Sequence, residues 1–440
     1  LVIDRETAKD LRSRLDRVLI HKFWGFVIFF VILMTIFQSI FDWSSIPQDF
    51  IDSTFASMSE LVKTKLPKGV FTSLLAEGII PGLGGIVIFI PQIAFLFLFI
   101  SVLEETGYMS RVVFLMDKGL RRIGLSGKSV IPLISGTACA IPAVMATRNI
   151  ESWKERLITI LVTPFTTCSA RLPVYAILIA LVIPEGSFLG MNYKGLTLMG
   201  LYLVGFGMAL LSAWILSKTL KINSKSYFVV EMPNYKLPLF KNVAITVWEK
   251  TRTFVTEAGK IILAISILLW ILASYGPGKD FSNANEIVQK QYPELSGEIL
   301  ENKINAYQLE HSFIGILGKA IEPAITPLGY DWKIGIALIS SFAAREVFVG
   351  TLATIYSVEN DAEETIKNRM ASEVLPNGQP LFNFASGISL MLFYAFAMQC
   401  MSTLAIVKKE TNTWKWPMVQ LFGMTLLAYF VAFCTYQILS

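Results

Sequence analysis

Residues 124–139 read GLSGKSVIPLISGTAC, and residues 329–344 read GYDWKIGIALISSFAA. The second stretch repeats a glycine, a lysine, an isoleucine, the triplet Leu-Ile-Ser and an alanine of the first, in the same register and without a gap. Each copy begins an apolar segment that is interrupted by helix breakers or by charge. Paired, interrupted segments in the two halves of a membrane chain are the best sequence indication of a transport site.

The composition is that of an integral membrane protein. Hydrophobic residues make up 54% of the 440 residues, 16% are charged, and the mean hydropathy is +0.57. Such values require the lipid bilayer as surroundings, and we expect no nucleic-acid partner. Seven apolar runs predict seven crossings, at 23–41, 84–103, 157–183, 196–216, 261–275, 388–407 and 417–438.

Loop charges predict how the remaining apolar stretches meet the membrane. Lys and Arg are in excess on cytoplasmic loops, and the loops alternate between basic and acidic except at two places. The segments flanking 129–147 are both basic, and those flanking 333–355 are both acidic. The alternation holds throughout if hairpin one (129–147) is re-entrant from the cytoplasm and hairpin two (333–355) is re-entrant from outside.

The interruptions within the hairpins support this topology. Non-helical backbone at membrane depth is tolerated only where protein or a water-filled cavity satisfies its polar groups. The interrupting residues are Pro132, Gly136 and Pro142 in hairpin one and Arg345 and Glu346 in hairpin two.

The predicted fold is an all-α integral membrane protein built as an inverted repeat. Each hairpin follows one crossing and an amphipathic helix, and the two units have opposite orientations. Repeat one covers 84–183 and repeat two covers 257–407, within a transport domain of residues 23–440. Residues 1–22 form a basic amphipathic lead-in, which places the N-terminus in the cytoplasm.

A second duplication lies in the crossing that follows each hairpin. Residues 168–174 read CSARLPV, and residues 400–406 read CMSTLAI. Pro164 and Pro173 flank the first of these cysteines and predict a local break in that helix. The second crossing contains no proline, so a break there is less strongly indicated.

Three of the four cysteines lie at the centre of a repeat element, among small and polar residues. The fourth, Cys434, lies in an ordinary apolar helix, where cysteine behaves as a small hydrophobe. Thiolate, thioether and hydroxyl groups at the midplane suit a divalent transition metal in transit, and they suit Mg²⁺ or Ca²⁺ poorly. The predicted metal ligands are Cys139, Cys168, Cys400, Ser169 and Met398.

Charged residues inside the membrane are costly and usually functional. For Arg345 and Glu346 two interpretations remain open: an internal ion pair that pins the tip of hairpin two, or a pathway or gating role for Glu346. The residues predicted to act in gating are Glu346, Arg345, Gly136 and Pro142. Arg171 would repel a cation in a pore, so we expect it to cap broken helix ends or to pair with a carboxylate.

Residues 127–129 (GKS) are similar to the end of a phosphate-binding loop. That pattern needs a glycine where this chain has Arg122, and no strand precedes it. We therefore expect no nucleotide site, no catalytic residues, no enzyme activity and no resident cofactor in these 440 residues.

Several longer motifs resemble the family of bacterial ferrous iron transport protein B, and the resemblance covers nearly the whole chain. The motifs are PQI at 91–93, LEETGYMSR at 103–111, GLSGK at 124–128, ATR at 146–148, CSARLPVY at 168–175, EMPNY at 231–235, AREV at 344–347 and QCMSTL at 399–404.

The resemblance implies a transporter that moves Fe²⁺, as its substrate, into the cytoplasm across the bacterial inner membrane. It also implies two gate regions like those of concentrative nucleoside transporters, in agreement with the two hairpins. Soft ligands of this kind would accept Mn²⁺ or Zn²⁺ as well.

Members of that family carry an N-terminal GTPase domain, with a helical spacer before the first crossing. The present sequence begins near the point where that spacer would end, and it has no Walker motif of its own. The resemblance therefore assigns GTP and Mg²⁺ to that absent domain. A small cytosolic partner and a homo-oligomer are compatible with it.

Two other classes of function remain open. An organic-solute carrier of the nucleoside type could use the same architecture, but it would want amide and carboxylate groups at the hairpin tips. The first tip offers residues 137–139 (TAC), which fit such a solute poorly. The third class is a receptor or assembly subunit that transports nothing.

Overall fold

The computed structural model of the chain describes residues 16–21, 23–67, 69–184, 186–188, 191–220, 235–278, 281, 283–291, 298–342, 345, 347–355, 370, 380–398 and 400–440. Apart from one short antiparallel strand pair, Ser187–Phe188 with Met191–Asn192, the regular structure of these residues is helical. The α-helices of seven residues or more are α1 (Trp24–Lys65), α2 (Ile80–Val87), α3 (Phe89–Glu105), α4 (Tyr108–Leu120), α5 (Val130–Ala138), α6 (Ala140–Ala146), α7 (Trp153–Val162), α8 (Leu172–Val182), α9 (Tyr193–Thr219), α10 (Phe240–Ser274), α11 (Ala284–Gln291), α12 (Glu298–His311), α13 (Phe313–Ile325), α14 (Trp332–Ser341), α15 (Val347–Ile355), α16 (Phe384–Phe396), α17 (Met401–Thr411) and α18 (Lys415–Leu439).

Six helical segments of the described chain are long and apolar enough to cross a membrane. They match six of the seven predicted crossings. The first predicted crossing, 23–41, is instead the beginning of the 42-residue helix α1, whose apolar part is only Trp24–Ile36. Polar Gln38 and Asp42 follow that part, so its hydropathy falls before a full span is reached. The six segments are Val70–Glu105, Trp153–Val182, Tyr193–Thr219, Phe240–Ser274, Phe384–Thr411 and Lys415–Leu439.

Both predicted hairpins are present as pairs of short helices. Hairpin one consists of α5 and α6, which meet at Cys139, the extended residue (φ −155°, ψ 133°) that ends one helix and begins the next. Hairpin two consists of α14 and α15, which pack against each other on either side of Arg345. Local signals explain where these elements start: the Asp331 carboxylate caps α14 by accepting the Ile334 N–H at 3.0 Å.

The crossing after each hairpin is a broken helix. In the first, α7 ends in a 3-10 turn (Thr163–Phe165) that contains Pro164. The helix resumes as α8, in which Pro173 is the second residue. This break is confirmed where the prolines predict it. The second crossing is broken as well, between α16 and α17, although no proline is present.

The two repeats share a backbone joint just before each hairpin. Gly124 and Gly329 both adopt the left-handed conformation, with φ of 82° and 81°, and each follows a single 3-10 turn. Glycine occupies this region at no steric cost. At both joints the next residue donates its N–H to the last residue of the preceding amphipathic helix: Leu125 to Leu120 at 3.1 Å and Tyr330 to Ile325 at 3.4 Å. The duplicated sequence is thus a duplicated structure.

The two repeats interlock through their hairpins. The second half of the first broken crossing, α8, packs against α15 of hairpin two, and the second half of the other broken crossing, α17, packs against α6 of hairpin one. Both contacts lie within buried apolar clusters: Ile177 and Phe348 belong to one, and Val144 and Ile406 belong to another. Each hairpin therefore rests on an element of the other repeat, which brings both tips and both helix breaks to one place.

Candidate functional site

Both hairpin tips and both helix breaks line a single cavity of about 610 Å³, here called the central cavity. Three thiols reach it from three different elements: Cys139 from the tip of hairpin one, Cys168 from the first break and Cys400 from the second. Arg345, from the tip of hairpin two, lines it as well. The cysteines are free, and the fourth one, Cys434, lies on α18 away from this cavity.

Ser169 joins the first break to hairpin one. Its hydroxyl donates a hydrogen bond to the Ala138 carbonyl at 2.9 Å and accepts one from the Gln92 amide at 2.7 Å. Gln92 is buried on α3 and also lines the central cavity. The hydroxyl predicted as a metal ligand is thus already bonded to protein on both sides in this arrangement. The role of Gln92 was missed, although an amide within the apolar run 84–103 is a visible signal.

Arg345 contacts the first break directly. Its side chain is 5% exposed, and its Nη1 lies 3.8 Å from the Cys168 sulfur. The backbone next to it is also engaged, because the Phe342 carbonyl accepts the Met401 N–H at 3.1 Å. The tip of hairpin two is therefore attached to both helix breaks.

Ser402 is a cavity residue that sequence reasoning did not single out. It lies in the first turn of α17, two residues after Cys400, and is 2% exposed. Its hydroxyl has no hydrogen-bond partner within the described part of the chain. A buried polar group without a partner is destabilising, so this hydroxyl is available to a ligand in the cavity.

Two predicted residues serve packing in this structure. Gly136 lies where a Cβ would meet the Thr166 Oγ1 at 2.3 Å, so the close approach of hairpin one to the first break requires glycine. Met398 does not line the central cavity, because its side chain is buried in the apolar cluster that also contains Leu133. Pro142 is buried in α6. Glu346 lies outside the described residues.

Arg171 caps a broken helix, as predicted. The side chain is fully buried, and its Nη2 donates to the Pro164 carbonyl at 3.1 Å. It does not line the central cavity. Its charge thus supports the end of the first half-helix, where carbonyl groups lack intrahelical partners.

The thiols do not form a closed metal centre. Among the residues that the structure describes, no three His, Cys, Asp or Glu side chains are grouped closely enough to hold a metal ion. The cavity thus presents soft ligands on separate walls. A structural metal site is closed and four-coordinate, which this arrangement is not.

Ion pairs involve the residues that directly precede and follow hairpin one. The Glu410 carboxylate, on α17, accepts hydrogen bonds from Arg148 Nε at 2.9 Å and from Arg156 Nη2 at 2.7 Å. At the other side the Lys128 Nζ lies 2.7 Å from Glu151 Oε1. The hydrogen bond and the charge of Lys128 lower the pKa of Glu151. Lys128 is therefore a flanking charge in a 3-10 turn and not part of a phosphate-binding loop.

A further cluster connects residues on either side of repeat one. Arg111, buried on α4, donates its Nε to Asp16 at 3.1 Å and lies 4.1 Å above the ring of Tyr235. The Tyr235 hydroxyl donates to the same Asp16 carboxylate at 2.6 Å. Burial, and then the hydrogen bond to Asp16, raise the pKa of Tyr235 to about 12. The segment before the first helix is thereby bonded to the connector before α10.

Comparison with protein families identifies the class of this fold. A gate domain described as "Nucleoside recognition" matches residues 86–182 and 255–414, which contain both hairpins and both broken crossings. The C-terminal domain of ferrous iron transport protein B matches residues 198–250. The chain is thus a multi-pass membrane protein built on a duplicated gate domain.

Similar curated proteins identify the family. The Fe(2+) transporter FeoB of Leptospira interrogans is 45% identical over 428 residues, which are 97% of this chain and 59% of that protein. FeoB of Campylobacter jejuni is 35% identical over 98% of this chain and 66% of its own length. A fusion of Fe(2+) transport protein A and FeoB from Porphyromonas gingivalis is 35% identical over 98% of this chain.

The chain therefore belongs to the ferrous iron transport protein B family. It spans 59% of the length of the Leptospira relative. None of the solved structures matches it.

Proposed function

We propose that this chain carries Fe²⁺ across the membrane through the central cavity, with the cysteine thiols as ligands in transit. The observation that carries the proposal is the convergence of Cys139, Cys168 and Cys400 on one cavity from three separate elements. Soft sulfur ligands favour late transition metals over Mg²⁺ and Ca²⁺. The names of the relatives, which are Fe(2+) transporters, support the same metal.

The architecture supports passage between two gates. Hairpin one and hairpin two meet at the cavity from different repeats, and each rests on a broken crossing of the other repeat. A movement of either hairpin would open the cavity on one side while the other hairpin remains in place. Discontinuous helices at the interface of repeats are the usual position of a substrate site in such folds.

The test is uptake of radioactive Fe²⁺ by liposomes that contain the protein. We expect Cys168→Ser and Cys400→Ser each to lower uptake about tenfold or more, because a hydroxyl is a poor ligand for a soft metal ion. Cys434→Ser is the matched control, since this thiol lies outside the cavity. Normal uptake by both cavity variants would refute the assignment of the ligands.

A carrier of organic solutes is the second candidate. The description of the gate domain, "Nucleoside recognition", favours it, and a cavity of about 610 Å³ is within the range of small-molecule sites. Uptake of labelled uridine in the same liposomes separates the two. Uridine uptake without Fe²⁺ uptake would favour this candidate, and uptake of neither would favour a receptor or assembly subunit.

The direction and the partners are parts of the same proposal. We infer transport into the cytoplasm across the bacterial inner membrane, with the N-terminus cytoplasmic, because the loop charges of the sequence favour that orientation. GTP-driven control would come from a GTPase domain preceding these residues, as the family resemblance implies. The chain itself would catalyse no reaction, and Mn²⁺ or Zn²⁺ would compete with Fe²⁺ for the thiols. A small cytosolic partner and a homo-oligomer are compatible with this arrangement.

A further inference from the structure

The central cavity combines three thiols with a buried guanidinium. Arg345 is 5% exposed, lines the same cavity as the thiols, and places Nη1 3.8 Å from the Cys168 sulfur. The guanidinium carries a positive charge. A divalent ion bound to Cys168 would face this charge at short range in a medium that screens it weakly.

We propose that Arg345 is a tethered cation, which occupies the position beside the Cys168 sulfur while no metal is bound and is displaced when the metal binds. This role rests on the proposed transport of Fe²⁺. The arginine and the metal ion would compete for the same sulfur. The metal ion takes the sulfur from the guanidinium, and ligation by the thiol releases its proton to solvent. A cation therefore lies beside Cys168 in both the empty and the occupied site.

The position of Arg345 in hairpin two permits such a displacement. It lies between the end of α14 at Ser341 and the start of α15 at Val347. The backbone of this tip is held by the hydrogen bond from Met401 to the Phe342 carbonyl. The long side chain can therefore leave Cys168 while the tip stays attached to the second break.

Competition has a kinetic signature that a structural role lacks. Without the guanidinium the metal binds more tightly, because nothing has to be displaced, and it leaves more slowly for the same reason. Arg345→Gln should therefore lower both KM and kcat of uptake. Arg345→Lys keeps the positive charge but offers fewer N–H donors. The KM of this variant should stay closer to that of the unchanged protein.

The experiment measures Fe²⁺ uptake by liposomes and Co²⁺ binding to the detergent-solubilised protein, with Co²⁺ as a spectroscopic probe of thiolate ligation. We expect Arg345→Gln to bind Co²⁺ about tenfold more tightly than the unchanged protein and to lose about tenfold in kcat, a typical size for one coupled contact. Arg171→Gln is the comparison, since this arginine is equally buried and caps a half-helix but does not itself line the cavity. It should lower kcat through loss of folded protein and leave the Co²⁺ affinity of the folded fraction unchanged.

Weaker or unchanged Co²⁺ binding by Arg345→Gln would overturn the role as a tethered cation, even if uptake falls. A change in KM and kcat equal to that of Arg171→Gln would overturn it too. The failure of the proposed function looks different: the unchanged protein would then transport no Fe²⁺ and bind no Co²⁺ at its thiols, and the role of Arg345 would be refuted with it.

Discussion

Arg148, at the end of hairpin one, and Glu410, at the end of the last half-helix of repeat two, form a two-pronged ion pair. The Arg148 Nε lies 2.9 and 3.1 Å from the two carboxylate oxygens. Arg156 binds the same carboxylate, whose side chain is 3% exposed. The base of the first hairpin is thus attached to the opposite repeat by a buried carboxylate that has two guanidinium partners.

We expect Glu410→Gln to destabilise the protein by about 2 kcal/mol, because two arginines then lose hydrogen bonds to a charged acceptor. Thermal unfolding in detergent measures the change. Glu151→Gln is the matched control, since its pair with Lys128 is exposed and such pairs contribute little. Equal melting temperatures for Glu410→Gln and the unchanged protein would show that the ion pair contributes nothing.

Gly136→Ala should destabilise the contact between hairpin one and the first break. The new methyl group would lie 2.3 Å from Thr166 Oγ1, so the backbone or the threonine has to shift. Overpacking of this kind costs about 1–3 kcal/mol. Gly119→Ala is the control, because a Cβ there meets nothing within 4 Å.

The explanation of Gly136 can be checked by a second substitution. If the clash with Thr166 is the cause, the double variant Gly136→Ala with Thr166→Ala should recover part of the lost stability. Additive losses in the double variant would place the cause elsewhere.

Ser402→Ala should separate transport from stability. Removing a buried hydroxyl that has no partner leaves the folded protein as stable as before or more stable. If the hydroxyl contacts the transported ion, the variant should also raise the KM of Fe²⁺ uptake about threefold or more. Unchanged or higher stability together with weaker function is typical of a residue that serves function. Thr435→Ala, in α18 outside the cavity, controls for loss of a hydroxyl. An unchanged KM would exclude Ser402 from the path.

The raised pKa of Tyr235 predicts a loss of stability at high pH. The neutral phenol is favoured in the folded state, where its pKa is about 12, over the unfolded state, where it is near the ordinary value of 10.0. The unfolded chain therefore releases this proton first, and stability falls as the pH rises between these two values. Unfolding measured from pH 9 to 12 should show a smaller decline for Tyr235→Phe. Parallel curves for the two proteins would contradict the coupling of Tyr235 to Asp16.

Features that repeat along the chain were predictable from the sequence. The in-register copies at Gly124 and Gly329 predict the two hairpins, and the structure adds that both glycines form the same left-handed joint. Pro164 and Pro173 predict the first helix break because proline removes a donor and fixes φ. The convergence of Cys139, Cys168 and Cys400 on one cavity follows from the predicted opposite orientation of the repeats.

Features that depend on contacts between distant residues were not predictable from one sequence. The second break contains no proline and is held by the bond from Met401 to the Phe342 carbonyl of hairpin two. Helical spacing could not place Met398, because the backbone leaves the helix at Ala397. The partners of Glu410 lie more than half a chain away in sequence, and no local pattern at 407–416 selects Arg148 over other arginines.

Each hairpin packs against a half-helix of the other repeat, and this packing has a consequence for biosynthesis. Helix α6 of hairpin one packs against α17, which is synthesised much later because it follows α6 by more than half of these 440 residues. Until then the broken backbone of this hairpin lacks the neighbour that shields it from lipid, a costly state for polar groups in a bilayer. A nascent chain that stops before Met401 therefore has no completed cavity, and membrane quality control has an unshielded hairpin to recognise.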